Sequence, residues 1–277
     1  MAISSISPVA AYISAEKDEE TAAANYAKTD ATTRNETAAF EKAAPSITSV
    51  DGLLKNYSAL QVVLGAYNLS SISGETALIK DLLTQDPTSS TSLAKKSGNA
   101  TWLAFADAFT TWGQNNGTAS TTPFTSDTIS SIVTMFQERQ FENSDSNQDN
   151  GVGNALYFTR KMSSVTTLSQ VMSDPTLLKV VETVSGYDPD QFGALDYSQQ
   201  VRLLQNKVDF TKLSTPQEIQ QYAERYLAML QINPQTPDKP ASLMDLFGGD
   251  TSDEGILALF DTSSSSTSTG SIYSGLF

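Results

Sequence analysis

The chain of 277 residues contains neither histidine nor cysteine. Without histidine it lacks the side chain whose ordinary pKa lies near neutrality, so the commonest general acid–base catalyst is missing. Without cysteine it has no thiolate nucleophile, no disulfide and none of the soft ligands that zinc sites use. These absences argue against an enzyme or a metalloprotein. We predict no catalytic residue, no metal ligand and no cofactor.

Basic side chains and long apolar runs are also scarce. The chain has 17 Lys and Arg against 31 Asp and Glu, a formal net charge of −14. Phosphate backbones would be repelled by this charge, so no nucleic-acid partner is predicted. No run approaches the roughly 20 apolar residues of a membrane-spanning helix, so we predict no membrane insertion. Residues 1–11 lack a basic leader and a long apolar core, so we expect no Sec signal peptide.

What the chain does contain is a repeated pattern. Leu60-Gln61-Val62-Val63 returns as Leu178-Lys179-Val180-Val181. A Ser-Val pair precedes each copy, at Ser49-Val50 and at Ser164-Val165. Two degenerate copies of one helical unit are typical of proteins that build surface by repetition.

Apolar residues recur at spacings of three and four in both copies, and no alternating strand pattern competes with them. Between the copies, this spacing predicts a connecting helix that begins near Ser126. In the second copy it predicts a closing helix that begins at Thr215-Pro216, where proline suits the first helical turn. We therefore predict an all-α chain.

Composition divides the chain into five parts. They are an N-terminal arm (1–45), a first helical repeat (46–122), a connecting helix with an acidic loop (123–154), a second helical repeat (155–232) and a disordered tail (233–277). Large apolar residues are too sparse in the arm for independent folding. We expect the arm either to be weakly ordered or to form a long helix lying against the body.

The tail is rich in serine and glycine and cannot order itself, but short apolar phrases interrupt it. Two of them, residues 243–247 and 256–260, share a pattern of two aliphatic residues, any residue, then Leu-Phe. Segments that fold on binding a groove present such anchors on one turn of helix. The alternative is that the tail packs on its own body. We predict partner-docking residues at Leu243, Leu246, Phe247, Ile256, Leu259, Phe260 and Phe277.

An acidic stretch at residues 145–151 resembles the start of an EF-hand calcium loop. Its glycine, Gly151, falls one position late, and the twelfth position is Leu156 where the loop needs a bidentate glutamate. We therefore interpret the stretch as an acidic connector and predict no calcium site.

Several short phrases carry a family resemblance. In the first copy they include residues 49–54 and 105–109, and in the second copy residues 157–161 and 177–181. Together they resemble a bacterial family known as domain of unknown function 1217, over most of residues 46–231. Members of that family carry tandem helical copies, are commonly encoded among flagellar genes of alphaproteobacteria and have no known catalytic residues. The resemblance implies a context of flagellar assembly or structure.

We therefore expect a non-enzymatic structural or assembly protein associated with the bacterial flagellum and exported without a Sec signal peptide. Its expected partners are other flagellar or export proteins, or a second copy of the chain by self-association. The alternative is a cytoplasmic chaperone or regulator of flagellar subunits. A carboxylate-dependent hydrolase is less favoured, because candidate acids such as Asp81 and Asp107 fall on ordinary helix faces.

Overall fold

A computed structural model describes residues 7–114 and 122–233 of the chain. Across these ranges all the regular secondary structure is helical, which confirms the all-α prediction. Three short 3₁₀ helices lie at Ala44–Ser46, Ser70–Ile72 and Phe210–Leu213. The α-helices are α1 (Pro8–Glu16), α2 (Glu19–Thr29), α3 (Ala31–Ala43), α4 (Val50–Lys55), α5 (Tyr57–Ala66), α6 (Thr76–Thr84), α7 (Leu93–Ser97), α8 (Ala100–Ala108), α9 (Thr110–Gln114), α10 (Ser126–Glu142), α11 (Asp145–Gln148), α12 (Val152–Met162), α13 (Leu168–Met172), α14 (Pro175–Ser185), α15 (Pro189–Gly193), α16 (Tyr197–Leu204) and α17 (Pro216–Ile232).

The first of two apolar clusters forms around α5, α6, α8 and α10. Helix α5 crosses its centre, where Val62, Val63 and Leu64 are fully buried. Aromatic rings fill one side, and Phe109 stacks on the buried Trp112 with 5.6 Å between ring centroids. Aromatic pairs in this geometry add to the free energy gained by burying their area.

The second cluster forms around α12, α14 and α17. Phe158 of α12 stacks on Tyr222 of α17, with ring centroids 5.2 Å apart. Val180 and Val181, the repeated pair, are fully buried on α14. The Val-Val pairs of both copies thus lie in the centre of a cluster.

The two clusters share an order of elements. Helix α5 follows the short α4 and packs against α3 and α10, while α14 follows the short α13 and packs against α12 and α17. The helices that close the clusters, α10 and α17, each have 17 residues. This order of helices agrees with the repeated sequence phrases. That the two multi-helix units are complete copies of each other stays a prediction.

Side-chain caps explain several helix boundaries. Thr215 and Glu218 form a capping box, in which each side chain accepts a hydrogen bond from the other residue's backbone N–H. Helix α17 therefore begins where predicted. Helix α10 begins at Ser126, as predicted, and is capped by Thr125, whose hydroxyl accepts a hydrogen bond from the backbone N–H of Thr128 at 3.2 Å.

The described part of the N-terminal arm lies against the body as three helices, α1 to α3, and not as one long helix. Tyr12 of α1 is fully buried in the second cluster, and Phe40 of α3 is fully buried in the first. Between them α2 packs along α10 through the small residues Ala23 and Ala27. Small side chains allow close helix packing, so few large ones are needed.

The segment predicted as an acidic loop is largely helical. It contains α11 and the start of α12, which begins directly after Gly151 in the left-handed region at φ +77°. Within the two described ranges, no helix is long and apolar enough to cross a membrane. Residues 234–277, including the apolar phrases of the tail, lie outside the described part of the chain.

Candidate functional site

Charged side chains are buried where α10 meets α12. Glu142, the last residue of α10, is fully buried, and its carboxylate accepts hydrogen bonds from Arg139 of the same helix and from Arg160 of α12. Arg160 also lies 3.4 Å from a carboxylate oxygen of Glu138. Buried charges are tolerated only when they are paired and hydrogen-bonded. This ion-pair junction, centred on Glu142, joins the two helices.

Tyr157 of α12 lies beneath both guanidinium groups. The Arg139 guanidinium is 4.3 Å from the ring centroid and that of Arg160 is 5.6 Å away, in cation–π geometry. The Tyr157 hydroxyl donates a hydrogen bond to Asp174 at 2.5 Å and accepts one from Asn68 at 3.1 Å. Burial, and next the charge of Asp174, raise the pKa of Tyr157 far above its usual value, so the hydroxyl remains a donor.

Asn68 connects the junction to the first cluster. It follows α5 in the left-handed conformation at φ 58°, which asparagine adopts more readily than most residues. Its side-chain oxygen accepts a hydrogen bond from Arg139 at 2.8 Å. Through Asn68, Arg139, Tyr157 and Asp174, one continuous network of hydrogen bonds links α5, α10, α12 and α14.

A third carboxyl group reaches the junction from α2. Burial, and next the nearby charge of Glu142, raise the pKa of Glu19 to about 8. One Glu19 carboxyl oxygen, Oε1, is fully buried and has no hydrogen-bond donor within reach. The positive charge of Arg160 opposes this rise in the pKa of Glu19.

A polar cleft of about 250 Å³ lies beside the junction. Asp174 caps α14 by accepting hydrogen bonds from the backbone N–H groups of Thr176 and Leu177, so these donors are already satisfied. Arg139 is likewise paired with Glu142. The charged groups near the cleft thus bind one another. The cleft is lined by Gly65, Asn68, Ser70, Ser71, Arg139, Gln140, Asn143, Pro175 and Thr176.

The residues predicted for partner docking all belong to the tail. Leu243, Leu246, Phe247, Ile256, Leu259, Phe260 and Phe277 lie outside the described residues, so their docking stays a prediction.

The acids considered for a hydrolase are exposed. Asp81 lies on α6 and Asp107 on α8, each with its side chain at the surface. In the part of the chain that the structure describes, no three His, Cys, Asp or Glu side chains are grouped so that they could hold a metal ion.

Sequence reasoning did not find the junction, although α10 carries a signal for it. Ile132 and Phe136 are buried on one face of this helix, and the same spacing continues to Arg139 and Glu142. A charged residue that continues an apolar stripe is a candidate for a buried pair. The partner, Arg160, could not be identified in this way because it lies on another helix.

Comparisons with known proteins give a family and a fold. The family model described as a protein of unknown function, DUF1217, matches residues 66–219. A crystal structure of a protein from Agrobacterium tumefaciens has a similar fold, with a TM-score of 0.68 and 19% sequence identity, covering 81% of this chain and 93% of that one. At this identity the likeness shows the fold alone. No curated protein matches the sequence.

Proposed function

We propose that this chain, which belongs to the DUF1217 family of proteins of unknown function, is a non-enzymatic structural or assembly protein of the bacterial flagellum. The observation that carries the proposal is the ion-pair junction, whose charged side chains bind one another and hold helices together. The flagellar context rests on the resemblance to a family commonly encoded among flagellar genes. We further propose that the chain is exported.

Protein contact is the mode of action that the exposed residues favour. Tyr57 and Tyr197, the first residues of α5 and α16, are 72% and 62% exposed. Ile232, at the end of α17, is 80% exposed. Tyrosine combines a large apolar ring with a hydrogen-bonding hydroxyl and is enriched in protein interfaces. We propose that these residues, together with the tail phrases, bind other flagellar or export proteins or a second copy of the chain.

Site-specific photo-crosslinking in living cells tests this proposal. A photoreactive phenylalanine analogue is placed at Tyr57 or Tyr197, with the exposed position Glu41 on α3 as a matched control. The proposal predicts crosslinks from the tyrosine positions to flagellar or export proteins, or to a second copy of the chain, and none from Glu41. Crosslinks to unrelated cytoplasmic proteins alone, or equal products from all three positions, would overturn it.

A further inference from the structure

We propose that Asn150 is a site of spontaneous deamidation that the first turn of α12 protects, so that the reaction proceeds only when this turn opens. Asn150 comes directly before Gly151, the residue after which α12 begins. The modification is the loss of the side-chain amide of Asn150 to water. The inference does not depend on the proposed flagellar role.

The dipeptide Asn150-Gly151 carries both reacting groups. The backbone nitrogen of Gly151 loses its proton and bonds to the side-chain carbonyl carbon of Asn150. The side-chain nitrogen takes up a proton and leaves as ammonia, so a cyclic imide remains. Water then opens the imide at either carbonyl group, which gives aspartate or isoaspartate. Glycine favours the attack because no side chain hinders its nitrogen and its backbone rotates easily.

Both reacting groups are held by hydrogen bonds in the folded chain. The attacking nitrogen of Gly151 donates a hydrogen bond to the carbonyl oxygen of Gln148 at 3.1 Å. The side-chain oxygen of Asn150 accepts a hydrogen bond from the backbone N–H of Val152 at 3.0 Å, as in an Asx turn. The attack requires both groups to leave these partners. The hydrogen bonds therefore oppose the reaction.

Packing holds the same turn in place. Gly151 is buried, and its backbone lies in the left-handed region at φ +77°. A Cβ atom added to it would overlap the side chain of Leu230 on α17. Val152, the next residue, is fully buried in the second cluster. The backbone at Gly151 can therefore rotate toward Asn150 only when the start of α12 separates from Leu230.

The two products have different consequences for α12. Aspartate leaves the main chain unchanged and keeps an oxygen that can accept from Val152. Isoaspartate inserts one extra carbon into the main chain directly before Gly151. The start of α12 has no room for a shift, because a Cβ atom at Gly153 would already overlap the carbonyl oxygen of Glu142. Formation of isoaspartate is therefore expected to prevent the start of α12 from forming again.

Peptide mapping of the full chain by mass spectrometry tests the proposal. The chain is incubated at mildly alkaline pH, either folded or in guanidinium chloride, and amide loss at Asn150 is followed with time. Because only the open turn reacts, the folded chain is expected to react more slowly than the denatured chain by at least about tenfold. A smaller difference would overturn the proposal.

The same dipeptide at Asn116-Gly117 is the chemical reference for the denatured chain. In guanidinium chloride the two asparagines are expected to lose their amides at similar rates. A rate at Asn150 that is lower than at Asn116 by about tenfold or more under these conditions would also overturn the proposal, because the local sequence would then provide the protection.

Two variants on α17 show whether packing against the turn provides the protection. Leu230→Ala removes the side chain that covers Gly151 and is expected to accelerate amide loss from the folded chain by at least about fivefold. The rate in guanidinium chloride is expected to stay the same. Ile232→Ala, at an exposed position on the same helix, is the matched control and is expected to behave like the parent. An unchanged rate in Leu230→Ala, or equal acceleration in both variants, would contradict the proposal.

Discussion

At the scale of single residues, the chain contains one ion pair that is buried and another that is exposed to water. In the pair of Arg139 and Glu142 the side chains are 7% and 0% exposed, whereas in the pair of Lys80 and Asp51 they are 51% and 62% exposed. Water screens the exposed pair, so this pair contributes little to the free energy of unfolding. The buried pair is different, since removing one partner leaves a charge that water cannot reach.

We therefore expect Glu142→Gln to lower the free energy of unfolding by about 3–5 kcal/mol, because it leaves Arg139 and Arg160 buried without their shared counter-charge. Asp51→Asn is the matched control and is expected to change the free energy of unfolding little, because water already screens this exposed pair. Urea denaturation of both variants at pH 7 measures the difference. Equal losses in the two variants would show that the junction contributes no more than a surface pair.

At the scale of helices, the close approach of α12 to the end of α10 depends on one glycine. A Cβ atom added at Gly153 would overlap the backbone carbonyl oxygen of Glu142, which cannot move as a side chain can. A Cβ atom added at Gly193, at the end of α15, would meet no atom of another residue within 4 Å. The contact between α10 and α12 therefore requires a residue without a side chain at position 153.

Gly153→Ala is expected to lower the free energy of unfolding by at least about 2 kcal/mol, because the added carbon pushes α12 away from the junction. Gly193→Ala is expected to remain within about 1 kcal/mol of the parent, since the space is open and alanine favours helix. Thermal unfolding followed by circular dichroism compares the two variants. A stable Gly153→Ala variant would contradict the packing described for α12.

Helices could be predicted from the sequence where the residues that determine them are close together along the chain. The start of α17 follows from Thr215, Pro216 and the periodic apolar residues that come after them. The order of the arm could not be predicted, because Tyr12 packs against Thr159, 147 positions away. The ion-pair junction was missed for the same reason, since Arg160 lies on a different helix from Glu142. The spacing of residues along one helix does not indicate which other helix will pack against it.

At the scale of the whole molecule, the tail has two predicted roles that give different results on truncation. If the tail docks a partner, ending the chain after Asn233 will remove binding to flagellar proteins and leave the unfolding temperature unchanged. The full chain with serine at Leu246, Phe247, Leu259 and Phe260 is the matched variant and is expected to lose binding equally. Binding is measured by recovery of flagellar proteins on the immobilised chain. Unchanged binding with a lower unfolding temperature would mean that the tail packs on its own body.

The central claim is that the chain is an exported component associated with the flagellum, and its location in the cell tests this most directly. An epitope-tagged copy is followed in cells with and without the flagellar export ATPase. We predict that the tag is recovered in shed filaments or in the medium only when the ATPase is present. A tag confined to the cytoplasm in both strains would contradict the claim and favour a cytoplasmic chaperone or regulator of flagellar subunits.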